Sequence, residues 1–463
     1  MTSSTADAPA GFDARTRVIL ALLGSVVFIA VVNGTMINVA LPHIGRDFGV
    51  SEGTYGWLVT GYSLTFGIFN AINGRLADVF GKKRVYMAGL FMLGACSLAV
   101  AAAPSVEVAI GVRLLQGAGA AALPVLGTSI IKTCVSPSAQ GRAVGIILST
   151  VGVAASIGPF LGGAIVQFSG WRTVFLVTGV ALLALPAAWR LLPDELNETS
   201  GASFDLPGAI LLGSGVASLL YGFELLESHA PTWQLLATLL TGASLLGAFY
   251  VWIQRARSPF VPPSIFSIPS YVAICMVGAV VNAARFGSVI LASIMLDEVN
   301  ALSPIYVGAV LFPGALAIAT LSSRAGAFAD LHGPRAPALT GLALLGAGAL
   351  ATAAAVGHHP ALAAASLALF GVGYAAAQSP LISTINRIVP REITGAGVGL
   401  FMTVFFAGGA AGVAAAVTAI ELGSSLPPLL PFVSEEAARF SNTFLGLAAL
   451  CLLGLLPASR LPS

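Results

Sequence analysis

Charge is what this chain has least of: only 9% of its 463 residues are Asp, Glu, Lys or Arg, while 57% are hydrophobic. So little polarity cannot cover a water-soluble globule of this length, which makes the chain a membrane protein. Short segments of alternating apolar and polar residues are missing as well, and that excludes a transmembrane β-barrel. Cysteine is scarce. Cys96, Cys134, Cys275 and Cys451 lie within or at the ends of apolar runs without paired spacing, and read as packing residues rather than disulfides or metal ligands. No cluster of His, Cys, Asp or Glu stands at catalytic or metal-ligand spacing, so the chain is not expected to be an enzyme. A Walker-type phosphate loop is lacking too, so ATP is not the expected energy source. Polar stretches are confined to tails and linkers, which leaves no soluble signalling domain. A membrane enzyme or sensor is therefore only a remote alternative. His358-His359 reads as a solvated loop pair, and Asn197-Glu198-Thr199 as a chance sequon on the inner side.

What is present is a series of apolar runs, each long enough to cross a bilayer core of roughly 30 Å as a helix. They cover approximately 17–42, 55–78, 84–104, 106–133, 143–167, 172–193, 206–225, 233–253, 270–296, 305–325, 336–356, 361–386, 394–420 and 440–459, fourteen in all. The pair within 206–253 is the least defined, because its link is polar only at Glu224, Glu227 and His229; as one re-entrant hairpin it would lower the count to twelve. The first run is too long for a cleavable signal and lacks a small-residue cleavage site. With the N-terminus in the cytoplasm, outer loops hold Arg46, Arg172 and Arg439, while Arg113 and Arg285 fall inside runs. The other 16 of the 21 Lys and Arg residues then face inward. The expected location is the plasma (inner) membrane, multi-pass, with both termini cytoplasmic. The net charge of +2 follows from that topology and gives no reason to expect a nucleic-acid partner.

One link between runs is unusually polar: Gly74-Arg75-Leu76-Ala77-Asp78-Val79-Phe80-Gly81-Lys82-Lys83-Arg84. Its pattern of Gly, Asp, Gly and cation returns 252 positions later in Gly326-Ala327-Phe328-Ala329-Asp330-Leu331-His332-Gly333-Pro334-Arg335. Gln140-Gly141-Arg142-Ala143-Val144-Gly145-Ile146 likewise returns after 254 positions as Thr394-Gly395-Ala396-Gly397-Val398-Gly399-Leu400. Two similar six-helix halves with helices 7 and 8 inserted between them account for both offsets. The expected units are 1–193, an inserted pair with linkers at 194–268, and 269–463.

The first of these links resembles the signature of the major facilitator superfamily between helices 2 and 3. Arg113-Leu114-Leu115-Gln116-Gly117-Ala118-Gly119-Ala120-Ala121 on helix 4 resembles its second motif, and Ser156-Ile157-Gly158-Pro159-Phe160-Leu161-Gly162-Gly163 on helix 5 its antiporter motif. Asn38-Val39-Ala40-Leu41-Pro42, Trp57-Leu58-Val59-Thr60-Gly61-Tyr62, Gly170-Trp171-Arg172, Phe260-Val261-Pro262-Pro263 and Phe312-Pro313-Gly314 are similar to the fourteen-helix drug:proton antiporter branch, including tetracycline-type exporters. The resemblance covers essentially the whole chain. It implies an all-α integral membrane fold of the major-facilitator type, two six-helix bundles plus two inserted helices.

Within that fold, Gly74 and Gly81 would let helix 2 end in a tight turn. Asp78, costly at a membrane edge unless paired, would be a gate residue with Arg142 as partner, and Asp330 its pseudo-symmetric copy near Arg391. Lys82, Lys83 and Arg84 are also read as ordinary inner-side cations. Pro159 would bend helix 5, while Gly158, Gly162 and Gly163 would let a neighbour approach. That segment would serve coupling or simply packing, and it carries Ala154 where the motif usually has glycine. Arg113, with Asp78, is the candidate for proton coupling or cavity polarity; Asp297 and Glu298 near the outer mouth are the other proton candidates.

Gly34 and Gly408-Gly409 stand where the branch generally carries membrane-embedded acids, and Arg285 lies mid-span in helix 9, three residues after Asn282. Such a cavity would be electropositive and would disfavour purely cationic substrates. Asn33, Gln116, Asn282, Arg285 and Gln378 are the polar candidates for the binding site, with Tyr62, Phe66, Phe69, Tyr374, Phe401 and Phe405 as aromatic walls. The expected function is export of small amphipathic drugs or metabolites by proton antiport, with alternating access in a monomer embedded in the lipid bilayer. No cofactor is expected, the proton gradient being the energy source. The alternative is a facilitator or uptake carrier for a small anionic metabolite.

Overall fold

The computed structural model describes the chain outside residues 1–12, 136–139, 195–204, 228–229, 257–258, 260, 391–392, 424–426, 432 and 463. Phe260, Arg391 and the sequon at 197–199 lie outside the described residues, as do the side chains of Asp78, Arg142 and Asp330. With no water in the hydrocarbon core to bond free N–H and C=O groups, the apolar runs close their hydrogen bonds within helices. Among the described residues there are fourteen long helical segments: α1 (Ala14–Phe48), α2 (Glu52–Phe80), α3 (Lys82–Ala101), α4 (Val106–Ala120 continued by Ala122–Cys134), α5 (Gln140–Ser169), α6 (Trp171–Leu191), α7 (Leu206–Glu227), α8 (Thr232–Arg255), α9 (Pro269–Glu298), α10 (Pro304–His332), α11 (Arg335–Ala355), α12 (Pro360–Ile388), α13 (Thr394–Leu422) and α14 (Ala438–Ala458). At 22 and 24 residues, α7 and α8 are each long enough to cross, so the pair is not one re-entrant hairpin.

Packing repeats between the halves. In the first, α5 lies on α1, α4 on α2 and α3, and α6 on α3; in the second, α13 lies on α9, α12 on α10 and α11, and α14 on α11. Only two broad seams join the halves, α2 against α13 and α5 against α10, and each is the symmetry mate of the other. The inserted α7 rests on α13 and α2, whereas α8 touches mainly α7 and turns Trp233, Leu236, Leu240 and Tyr250 outward.

Small residues set how close the helices come, within each half and across the α5–α10 seam. A Cβ on Gly158 or Gly162 would fall within 3 Å of Thr35 or Met36 on α1, and one on Gly163 within 3 Å of Pro304 on α10. Gly408 and Gly412 have the same close approach to Ala279 and Ala283 on α9. Gly408 is the repeat partner of Ala154, so the glycine missing from the α5 motif is present in its copy.

Candidate functional site: a central chamber and its rim

A chamber of about 1110 Å3 lies between the halves. One end is framed by Gly74, Arg75 and Lys82 from the α2–α3 link, Asp205 before α7, and Pro259 and Pro262 before α9. The opposite end is shut by bonds across the halves. Ser293 Oγ donates to the Asn38 carbonyl (2.6 Å). Arg46 pairs with Asp297 (3.1 Å), and Ser303 Oγ meets Gln167 Oε1 (3.1 Å). The chamber therefore opens only toward the cation-rich side.

Its walls are mostly apolar. Tyr62 and Phe66 line them with Phe286, Met402 and Phe406, and Phe66 and Phe406 meet edge to face at 4.7 Å. Tyr374, Phe401 and Phe405 are buried behind this surface, and Phe69 packs toward α7. Sequence reasoning missed Phe286 and Phe406 because a helical apolar run does not say which face meets a cavity. Thr35, Ser63, Asn70, Thr128 and Ser129 supply scattered polarity.

Asn33 and Gln116 are placed differently from the sequence expectation: both are fully buried in the first bundle and neither lines the chamber. They hold Arg113. The guanidinium donates from Nε to the Leu58 carbonyl (3.0 Å) and from Nη1 to Asn33 Oδ1 (2.9 Å) and Gln116 Oε1 (2.5 Å). Asn33 donates onward to Thr178 Oγ1 (3.0 Å) and Gln116 to Ser97 Oγ (2.6 Å). Stacking on Tyr62 at 4.1 Å completes the shell, with Nη2 lacking an acceptor. Arg113 reaches the chamber wall only as a fully buried, networked group.

Asn282 is also buried, donating to the Phe405 carbonyl (2.9 Å) and accepting from the Tyr374 hydroxyl (3.4 Å). Gln378 is half-buried and is not among the lining residues. Arg285 does line the chamber. It stacks on Tyr374 at 4.9 Å and lies 5.3 Å from the Phe286 ring; no described carboxylate pairs with it, and its buried Nε has no hydrogen-bond partner.

At the open end, Gly81 has φ 90° and ψ 140°, and its N–H donates to the Ala77 carbonyl (2.9 Å). Its repeat partner Gly333 adopts φ 80° and ψ 164°. Both are conformations a side chain rarely tolerates, which explains glycine at both turns. Asp78 stands in the last turn of α2 just before this bend. The three cations that follow diverge: Lys82 lines the chamber mouth, Lys83 is buried against Asp194 (2.6 Å) and the Trp189 ring, and Arg84 is exposed. Asp205, absent from the sequence candidates, caps α7 by accepting from the Gly208 N–H (3.0 Å) and also accepts from Trp252 Nε1 (2.8 Å). Its position ahead of an apolar run was an N-cap signal.

Beyond the apolar span, the closed rim gathers Glu52 at the loop end of α2, Glu298, Glu421 and Arg439. Arg439 pairs with Glu52 (3.5 Å) and with Glu298. Burial, then the charge of Glu298, pushes the Glu52 carboxyl up to about 8. At the neighbouring corner, hydrogen bonds from Arg172 (2.5 Å) and Trp171 (3.1 Å) hold the exposed Asp47 carboxyl below the usual range.

Two bundles related by internal repetition, closely packed through glycines, and a chamber between them define a membrane transporter. The chain belongs to the Major Facilitator Superfamily, whose profile matches residues 23–413. It is similar to multidrug resistance protein Stp of Mycobacterium tuberculosis (strain CDC 1551 / Oshkosh), 30% identical over 426 residues, 90% of this chain and 78% of that protein. It is equally similar to the puromycin resistance protein pur8 of Streptomyces alboniger, 30% identical over 90% of this chain and 84% of that protein. Among solved structures, a bacterial homologue of the human lysosomal transporter Spinster, in an inward-facing and unoccupied conformation, shares the fold. Its TM-score is 0.69 at 16% identity, covering 97% of this chain and 98% of that one.

Proposed function

We propose that this chain exports small amphipathic drugs or metabolites across the plasma (inner) membrane by proton antiport. In this reading it works as a monomer with both termini cytoplasmic, and needs no cofactor or nucleic-acid partner. The observation that carries the reading is the chamber itself: a large, mainly apolar, aromatic-walled space between two halves, open on the cation-rich side and bolted on the other. A substrate drawn from the cytoplasm or inner leaflet enters that mouth. Rocking about the α2–α13 and α5–α10 seams then closes the mouth, breaks the rim bonds and releases the substrate outside. The efflux and resistance proteins it resembles support drugs as substrates. Proton coupling is assigned to carboxyls at the two ends, Asp78 at the inner turn and Glu52 with Glu298 at the rim, since the chamber wall presents only Asp205 among its described residues as an acid.

The test is puromycin accumulation in inverted vesicles under an imposed pH gradient. Export predicts gradient-dependent accumulation that Asp78→Asn and Glu52→Gln impair. Movement of puromycin indifferent to the gradient would select the facilitator instead, which the lack of a described mid-chamber carboxylate favours.

A further inference from the structure

The chamber has an annex. Between α1, α5, α9, α10 and α12 lies a side pocket of about 70 Å3, and Gly34, Thr35, Arg285 and Phe286 line both spaces. It has room for ordered water or a small polar head group. Two buried polar atoms of its lining residues are unsatisfied. Ser288 is 1% exposed, lines the pocket, and its Oγ has no hydrogen-bond partner. Arg285 Nε, in the same wall, has none either. Tyr86 Oη, Ser379 Oγ and Arg113 Nη2 also lack partners, but Ser288 Oγ and Arg285 Nε belong to residues that line one small pocket together. A cation within the membrane without a described counter-charge and a buried hydroxyl without a partner are both costly, so a ligand that satisfies them together gains on both counts.

We propose that this annex seats the anionic head group of an amphipathic substrate, Arg285 supplying the charge and Ser288 a hydroxyl, while the apolar body lies against Phe286, Phe66 and Phe406 in the chamber. This deepens the export reading and rests on it for the identification of the chamber as the transport site. The choice of an anion follows from the walls. No described acidic residue lines the annex, and Asp205, at the chamber mouth, is already bonded to Trp252 and Gly208. Arg285 is braced from behind, because Tyr374, on which it stacks, is itself tied to Asn282. A braced guanidinium loses little freedom on binding a carboxylate.

Gly34 offers an internal test, since a Cβ there would meet nothing nearer than Tyr62 Cε1 at 3.9 Å. A carboxylate introduced at this position would reach the annex and take the place of the ligand's.

The experiment measures equilibrium binding to the purified full chain in lipid nanodiscs at pH 7.5. Three matched probes are compared: 1-naphthoate, neutral 1-naphthamide and 1-naphthylmethylammonium. The native chain should bind the carboxylate at least ~10-fold more tightly than the amide, as a charge-assisted bond in a buried site would give. Arg285→Ala should bring that ratio to about one, Arg285→Lys should retain part of it, and Ser288→Ala should lower it about threefold. Gly34→Asp, which keeps Arg285 in place, should abolish the carboxylate preference and favour the ammonium probe. A native chain that binds the amide or ammonium as tightly as the carboxylate overturns the proposal. So does a preference that survives both Arg285→Ala and Gly34→Asp in protein with an unchanged unfolding temperature. Because binding is read without any gradient, failure of pH-driven export leaves this result standing, and failure here leaves export standing.

Discussion

Each half of the molecule carries one arginine inside the membrane, and the two are treated in opposite ways. Arg113 in the first half is fully buried, with three acceptors and a stacked tyrosine, and only its Nη2 is left over. Arg285 in the second half is partly open to the chamber, braced by rings, and has an orphaned nitrogen. An ionised group in the membrane must be answered from within or from outside. The first half answers its own arginine and becomes rigid; the second leaves the answer to whatever enters. Symmetry of the backbone is thus compatible with a division of labour between structure and recognition.

The largest expected effect tests the first arm of that comparison. Arg113→Ala would leave Asn33 Oδ1 and Gln116 Oε1 without their donor beside a large cavity, which costs about 3–5 kcal/mol. The expected outcome is loss of folded protein, read by fluorescence-detected size exclusion and thermal unfolding. Arg285→Ala removes only the contact with the Tyr374 hydroxyl and ring, leaving no network stranded, and should unfold within a few degrees of the native chain. Equal destabilisation by the two would erase the distinction.

Next in size are the seams. Gly163→Leu should press on Pro304 across the α5–α10 seam and Gly67→Leu on Phe406 across the α2–α13 seam. Both should cut transport by more than tenfold. If only one of the pair did so, the two seams would not be equivalent.

A smaller effect concerns the rim and pH. In the closed rim Glu52 holds its proton up to about 8, whereas in water a carboxyl ionises near its ordinary value of 4.5. The closed state therefore binds more protons between these values. Its advantage is fully present below about 4.5, is lost as pH rises through about 8, and is flat above that. Spin-label distances between the outer ends of α1 and α9 should lengthen across this window, and Glu52→Gln should flatten the curve. A curve unchanged by the substitution would remove Glu52 as the source of the pH dependence.

The smallest concerns the cations of the α2–α3 link. Lys83→Ala removes a bond to an Asp194 side chain that is 89% exposed, so no more than ~1 kcal/mol is expected, read as a small fall in unfolding temperature. Lys82→Ala should leave stability unchanged and alter only uptake at the mouth, measured as the concentration giving half-maximal transport.

Much of this was legible along the chain. Run lengths and scarcity of charge gave fourteen helices, because a bilayer forces each apolar run to bond within itself. The repeated Gly-Asp-Gly links announced two similar halves, and Gly81 and Gly333 indeed turn with matching positive φ. Asn33 and Gln116 show where reading stopped: as polar residues in apolar helices they looked like cavity groups, yet they face Arg113 in the bundle interior. Polarity at a position says that a partner is needed, not which one.

Sequence alone therefore determined membrane residence, a count of twelve or fourteen helices, the internal repeat and the presence of two embedded arginines, since these follow from composition and local hydrogen bonding. Tertiary structure alone decided which arginine is enclosed and which meets the chamber, that an annex exists beside Ser288, and that Glu52 shares a rim with Glu298 and Arg439. Those depend on which helix faces converge from positions hundreds of residues apart, and periodicity along one helix carries no information about its neighbour.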